Sequence, residues 1–319
     1  MKASVVIPTK NAGGRFHQVL NAVMEQKTPW PYEVLVIDSG SSDGTVEFVK
    51  SMSGVHLHQI PPSEFGHGKT RNLGVSLTTG EFVVMLTHDA LPANESWLYE
   101  LVKAVEQDDD IAGAFGRHLA YPQDGPFLER DLQLHFDSFL RWPAIVYLHD
   151  KERYRNDQGY RQMLHFFSDN NACIRRSVWE KIPYPEVDFA EDQLWAKEII
   201  EAGYKKAYAD KAIVYHSHSF GFIELGRRCF DEARAMQRLF GYQLCPTLFH
   251  LLAQSVRTTA NDVKYLRSKK KLWSEKEWLF RSPFRNVAKQ AGYYLGQRAD
   301  HLPEWLVRCI SRDMALQRR

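Results

Sequence analysis

Asp89 follows the apolar run Phe82-Val83-Val84-Met85-Leu86, separated from it by Thr87 and His88. Such a run reads as a buried strand, and the carboxyl end of a strand in an open α/β sheet is where ligands bind. A carboxylate there is a hard oxygen donor of the kind a divalent cation takes. Sites that hold a cation and a diphosphate usually present two such oxygens, and here Thr87 stands where a second acid could have been. Further along, "IVYHSHSF" (213–220) places His216 and His218 two residues apart at the end of a strand-like segment. Both imidazoles then leave the chain on the same side. With Asp89 they form a candidate metal-ligand set, beside the simpler reading of a structural strand histidine.

Four other segments carry groups suited to chemistry. "DFAEDQLWAKEIIEAG" (188–203) has helical apolar spacing with Glu191 and Asp192 in its first turn. Acids there favour the helix dipole, and either could alternatively be a general base that deprotonates a hydroxyl nucleophile. "SVVIPTKN" and "EVLVIDSGSSDGT" each end an apolar strand in small and polar residues: Pro8, Thr9 and Asn11 in the first, Asp38, Ser39 and Asp43 in the second. Asp38 can accept from a base N–H or a ribose hydroxyl, whereas Asp43 reads better as a helix cap. "SEFGHGKT" (63–70) comes close to the phosphate loop G-x-x-x-x-G-K-[ST] but has Ser63 at the required first glycine. What remains is a basic, glycine-rich entry to a helix, with Gly66, Gly68, Lys69 and Arg71 suited to lie near a diphosphate.

The elements that must position these groups alternate in period. Apolar strands at 3–7, 33–37, 55–60, 82–86 and 111–115 are separated by helical patterns, among them Phe16, Val19, Leu20 and Val23 on one face and Trp97, Leu98, Leu101, Val102 and Val105 on another. Strand–helix alternation predicts an α/β fold with a doubly wound, mostly parallel sheet flanked by helices. Residues 118–165 lose the rhythm, short strands and one helix return over 168–218, and the chain after 220 is helical, basic and aromatic.

At 319 residues the chain can build one large or two modest cores. Its four scattered cysteines, without a C-x-x-C, point to neither a disulfide framework nor a zinc site. Nothing resembles a signal peptide or a spanning stretch, so a cytoplasmic protein is expected. The net charge of +2 hides an asymmetry: residues 261–319 carry 14 Lys/Arg against 6 Asp/Glu, and residues 1–260 carry 27 against 33. A basic tail on an acidic body points to an anionic partner, either membrane or nucleic acid, or to a solvated helical face.

Taken in order, "VVIPTKN", "EVLVIDSGSSDGT", "KTRNLG", "GEFVVMLTHDALP", "FAEDQLWAKEIIEAGYKKAY" and "IVYHSHSF" closely resemble family 2 inverting glycosyltransferases of the GT-A fold, over about residues 3–240. "THDALP", "GRHLAYP" and "HSHSF" look most like bacterial rhamnosyltransferases of surface-polysaccharide assembly.

The resemblance implies a role for each residue. Asp89 becomes a carboxylate ligand of Mg2+ or Mn2+ and a donor contact, with His216 as the imidazole ligand and His218 its alternate. Asp192 becomes the catalytic base. Pro8, Thr9, Asn11 and Asp38 hold the nucleoside, Lys69 and Arg71 offset diphosphate charge, and Asp169 and Glu191 bind the acceptor. Thr87 in the place of an acid weakens the metal site by one charge. The implied donor is a nucleoside-diphosphate sugar, with dTDP-rhamnose foremost, and the implied acceptor is a lipid-linked saccharide. The partner of the basic tail is then an anionic membrane surface and not nucleic acid, with the protein peripheral on the inner face of the cell membrane and Trp273, Trp278, Phe280, Tyr293, Tyr294 and Trp305 in the headgroup layer. The expected organisation is a nucleotide-sugar half at 1–117, an acceptor and catalytic half of the same domain at 118–220, and a helical basic region at 221–319. The competing readings are a sugar nucleotidylyltransferase and a non-catalytic sugar-nucleotide-binding protein.

Overall fold

The computed structural model describes residues 1–312 and 314. Two compact units are present: residues 1–122 with 129–217, and residues 123–128 with 218–319. The second unit thus takes in the short segment 123–128 and resumes at His218.

The first unit opens with β1 (Ala3–Thr9), α1 (Gly13–Met24), β2 (Tyr32–Asp38), α2 (Thr45–Ser51), β3 (Val55–Gln59), α3 (His67–Ser76) and β4 (Phe82–Leu86). It continues with β5 (Leu91–Pro92), α4 (Trp97–Glu106), β6 (Ile111–Leu119), α5 (Pro126–Phe139), β7 (Ile145–Val146), α6 (Lys151–Asn156) and α7 (Gln158–His165). β8 (Asn171–Arg175), α8 (Arg176–Trp179), α9 (Glu191–Glu201) and β9 (Lys205–Tyr215) complete it; the first residues of α5, through Leu128, are grouped with the second unit.

The sheet runs β3-β2-β1-β4-β8-β6-β9-β5, with β7 on β9. β3, β2, β1 and β4 pair in parallel, as the strand–helix alternation predicts. The other half is mixed, because β8 lies antiparallel between β4 and β6. Both faces of the parallel half are covered, which is why its strands are continuously apolar. Val5, Ile7, Val84 and Leu86 point to one face, with Phe16 and Val19 of α1 and Trp97 and Leu101 of α4. Val6, Val83 and Met85 point to the other, with Trp195 and Ile199 of α9. The alternation of successive side chains across a strand is the reason.

Glycines bring α3 close on two sides. A Cβ on Gly74 would lie 2.4 Å from Val6 Cγ1 of β1, and one on Gly68 would lie 2.1 Å from the Pro185 carbonyl oxygen. The half-match to a phosphate loop therefore reflects helix packing at Gly68.

The second unit contains α10 (Phe222–Phe240), α11 (Leu248–Ser268), α12 (Lys276–Gly296) and α13 (Glu304–Ile310). Gly226, Gly292 and Cys229 permit a close α10–α12 approach, since a Cβ on Gly292 would lie 2.3 Å from the Gly226 carbonyl oxygen. Of the aromatics expected at a membrane surface, Trp273, Phe280 and Trp305 are exposed. Trp278 instead packs on Gly125, Tyr293 reaches Glu232, and Tyr294 stacks under Arg298, so these three are taken up within the unit. Among the described residues no helix is long and apolar enough to cross a membrane.

Candidate active site

The carboxyl ends of β1 and β2 carry the first predicted group. The Asp38 side chain is fully buried; Oδ2 accepts from Thr9 Oγ1 at 3.1 Å and Oδ1 accepts from the backbone N–H groups of Gly40 and Ser41 at 3.0 and 2.9 Å. Asn11, held at a positive φ of 46°, accepts from the Ser42 N–H at 2.8 Å and donates its own N–H to Ser41 Oγ at 2.7 Å. A non-glycine residue in this region is uncommon and marks a constrained loop. Asp38, Thr9 and Asn11 thus tie the two strand-end loops into one rim, with Pro8 paired to Ile37 beneath it. Asp38 builds that rim with its carboxylate, a different engagement from the nucleoside contact expected of it. Asp43 accepts from the Thr45 N–H at 3.2 Å and the Gly13 N–H at 3.0 Å, the capping role its position indicated.

Beyond β4, the partly exposed Asp89 and His216 come together, with Nε2 of His216 3.5 Å from Oδ1 of Asp89. The β6–β9 ladder sets this up: Leu119 pairs with Tyr215, and the next N–H, of His216, donates to the Leu119 carbonyl at 2.9 Å. Tyr121 adds a brace by donating its hydroxyl to the Asp89 carbonyl at 3.1 Å, and the guanidinium of Arg15 sits 4.0 Å over the Tyr121 ring. His218, two residues further on, is exposed and opens the second unit. Thr87 lies below Asp89 with its hydroxyl buried and without a hydrogen-bond partner.

Sequence reasoning passed over His118 here. It is buried on β6, its ring packs edge-on to His216 with centroids 5.4 Å apart, and its Nε2 has no hydrogen-bond partner. Burial, then the neighbouring His216 and His135, hold it well below the usual histidine value, so it is a neutral imidazole. Its signal was present in "GRHLAYP", but only the pairing of His118 with Val214 shows which strand it faces.

The third group gathers at the start of α9. Arg71 of α3 is buried; its Nη1 lies 2.5 Å from Glu191 Oε1 and its Nε lies 3.0 Å from Asp169 Oδ2. The Tyr184 hydroxyl donates to Asp169 Oδ1 at 2.8 Å. The Asp169 backbone N–H in turn donates to Asp192 Oδ2 at 3.2 Å. Asp169 and Glu191 are 1% and 5% exposed, whereas Asp192 keeps a partly exposed surface.

Arg71 spends its charge on two internal carboxylates, and all three side chains are buried together. Charge pairing in a low-dielectric interior is the cause. Lys69, two residues earlier on α3, is exposed. Burial, then Glu191 and Asp169, push the Asp192 carboxyl well above the ordinary carboxylate range, with Arg71 opposing. Tyr184 is also raised by burial and by Asp169, so it stays a neutral donor. Ala190, the residue before α9, has a positive φ of 58°, a strained turn that aims Glu191 and Asp192 into the cluster.

This geometry can hold a cation beside a strand end and can take a proton at a raised carboxylate. Comparisons with known proteins agree in family. Residues 4–182 match the family described as glycosyl transferase family 2. The chain is 32% identical over 314 residues, 95% of its length and 92% of the relative's, to the O-antigen chain rhamnosyltransferase RfbN of Salmonella typhimurium. It is 31% identical, over 94% of its length and 90% of the relative's, to the O-antigen chain rhamnosyltransferase WbaN of Salmonella anatum. In fold it is similar to the mannosyltransferase PcManGT of Pyrobaculum calidifontis, solved with GDP-Man and Mn2+, at a TM-score of 0.58 and 17% identity over 94% of this chain and 86% of that one. The chain belongs to glycosyltransferase family 2 and is a sugar-transferring enzyme of the GT-A fold.

Proposed function

We propose that this glycosyltransferase moves rhamnose from dTDP-rhamnose to a hydroxyl of a lipid-linked saccharide, with inversion at the anomeric carbon, in the synthesis of a surface polysaccharide. The sugar and pathway are supported by the near-full-length likeness to two O-antigen chain rhamnosyltransferases. The observation that carries the mechanism is the β4–β8 register, which sets Leu86 opposite Asn171, so that Asp169, with the partly exposed Asp192 bonded to its N–H, lies at the end of the sheet from which β4 leads to Asp89.

Asp192 takes the proton of the acceptor hydroxyl as its oxygen attacks, and a carboxyl held above the ordinary carboxylate range binds that proton more tightly than a solvated one would. Asn11, Thr9 and the Asp38 rim define the nucleoside end, Pro8 supports that rim, and exposed Lys69 offers positive charge to the diphosphate. A divalent cation fits the donor set: Asp89 supplies a hard oxygen, His216 a nitrogen 3.5 Å away, and His218 follows two residues on. A mixed oxygen–nitrogen set suits Mn2+ better than Mg2+, which demands near-ideal oxygen coordination. Such an ion offsets charge developing on the leaving diphosphate when bound. With Thr87 in place of a second acid, the protein contributes one negative charge to it, so weak, donor-assisted binding is expected.

The second unit is the proposed membrane contact. On α11 the exposed residues Phe249, Leu252, Val256 and Val263 follow helical spacing along one stripe, beside exposed Leu248, and Trp273 between α11 and α12 is 89% exposed. The stripe leads into residues 261–319, which hold Val263 and Trp273 and carry 14 Lys/Arg against 6 Asp/Glu, a balance that favours a peripheral position on an anionic surface. The proposal as a whole is tested by incubating the protein with dTDP-rhamnose, Mn2+ and synthetic lipid-linked monosaccharides. Rhamnosylated lipid and free dTDP are expected. Release of pyrophosphate would support a nucleotidylyltransferase, and binding without turnover a non-catalytic protein.

A further inference from the structure

Two carboxylates, Asp169 and Glu191, pair with the Arg71 guanidinium, a third, Asp192, is bonded to the Asp169 N–H, and of the three only Asp192 remains partly open to solvent. If all three were ionised the group would carry a net charge of two negatives in a buried setting, which is costly unless the charges are ordered by specific partners. The contacts supply that order. Arg71 spans Glu191 and Asp169, Tyr184 fixes the second oxygen of Asp169, and the Asp169 N–H orients the Asp192 carboxylate. Arg71 is itself anchored, its Nη1 donating to the His67 carbonyl at 3.1 Å. α3 can come this close because Gly68 presents no Cβ to Pro185, in the loop that leads to α9.

We propose that Arg71 is a positioning residue for the transfer reaction: it holds Asp169 and Glu191 as a charge-paired backing with one negative charge offset, so that Asp192 alone of the three is presented to the acceptor as an ionisable base. The inference rests on the reading of Asp192 as that base and assigns Arg71 and Tyr184 to its support and not to the donor diphosphate. Arg71 acts on Asp192 through space and through Asp169, touching no substrate. The charged and titratable groups facing Asp192 are Glu191 on its own helix, Asp169 ahead of β8, Arg71 on α3 and the Tyr184 hydroxyl. Of these only Arg71 draws the carboxylate toward ionisation as a charge, the Asp169 N–H helping as a hydrogen bond.

The test compares Arg71→Met, Arg71→Lys and Tyr184→Phe with the wild-type enzyme. The readouts are the pH dependence of dTDP release from dTDP-rhamnose with a synthetic lipid-linked monosaccharide, and calorimetric Kd for dTDP. For Arg71→Met the expected result is a fall in kcat of about tenfold or more at neutral pH, with the acidic limb moved to higher pH, because losing the cation tightens the hold of Asp192 on its proton. Its Kd for dTDP should stay within about threefold of wild type, and Arg71→Lys should return the limb toward its original place. A weakened Kd with the limb unmoved would make Arg71 a diphosphate ligand and overturn the proposal; so would wild-type kcat and pH profile. If Arg71→Met does not fold, Tyr184→Phe decides. It deletes one hydroxyl and keeps the ring in the core, and it should lower kcat severalfold at unchanged Kd, whereas unchanged kcat overturns the proposal. An Asp192→Asn enzyme run in parallel separates the two readings: if it retains activity, the base assignment itself has failed, and if it is inactive, the Arg71 results stand on their own.

Discussion

Nε2 of His216 lies 3.5 Å from Oδ1 of Asp89, although 126 residues of chain separate them along the sequence. Two strands bring them there: β4 delivers Asp89 past its carboxyl end, and the parallel β6–β9 ladder carries β9 far enough for His216 to stand opposite it. An imidazole and a carboxylate held this close are spaced to serve the proposed role of two ligands to one cation.

Replacing Asp89 with alanine is therefore expected to abolish Mn2+ binding measured by calorimetry in the presence of dTDP, and to weaken donor binding as well. His216→Ala should weaken both by a smaller factor, because the hard oxygen ligand remains. Unchanged Mn2+ affinity in both variants would take the metal out of this site.

Asp192→Asn should lower the transfer rate about 10²- to 10⁴-fold, the usual contribution of a positioned general base. Binding of dTDP should be unaltered, since the base acts in the chemical step and not in donor affinity. A rate within about tenfold of wild type would require another base.

The pH profile should show a displaced acidic limb. Burial, Glu191 and Asp169 raise the Asp192 carboxyl, and a base works only when deprotonated, so activity should rise with pH through a value well above the ordinary carboxylate of about 3.9. The sign for stability is opposite. A carboxyl raised in the folded state contributes stability that is present below the unfolded value and lost as pH rises through the folded one. Denaturation midpoints at rising pH should show Asp192→Asn losing less stability than wild type.

Gly68→Ala tests the seam between α3 and the loop before α9. The new Cβ would lie 2.1 Å from the Pro185 carbonyl oxygen, a backbone atom that cannot swing away. Loss of about 1–3 kcal/mol in urea denaturation is expected, the usual cost of overpacking. Activity should fall further than stability, because the Arg71–Glu191 contact crosses the same seam.

Full-length protein should sediment with vesicles containing anionic lipid and do so less in high salt, since the electrostatic part is screened within a Debye length. Phe249→Glu with Leu252→Glu should reduce the salt-resistant part, because both side chains are exposed on one stripe of α11. Indifference of the wild-type protein to such vesicles at low salt would leave that stripe as an interface of another kind.

Local pattern determined a good deal of this protein. The parallel half of the sheet was legible because its strands are covered on both faces and so read as unbroken apolar runs, and α1 and α4 were legible because one helical stripe of each is buried. Asp89, Asp192 and His216 could be singled out as candidates because each lies close to the end of an element whose period is clear. What tertiary structure alone decided is partnership. Nothing in "KTRNLG" says that Arg71 faces Asp169 and Glu191, 98 and 120 residues on, and not a phosphate; burial converts a surface-like basic residue into the counter-charge of an internal cluster. Nothing in "GRHLAYP" says that His118 packs on His216, because strand register is a property of the pair and not of either strand. The antiparallel β8, set between β4 and β6, escaped the alternation for the same reason. A single segment encodes its own period and caps, while the pairing of distant carboxylates, cations and rings is chosen only when the sheet closes and water leaves.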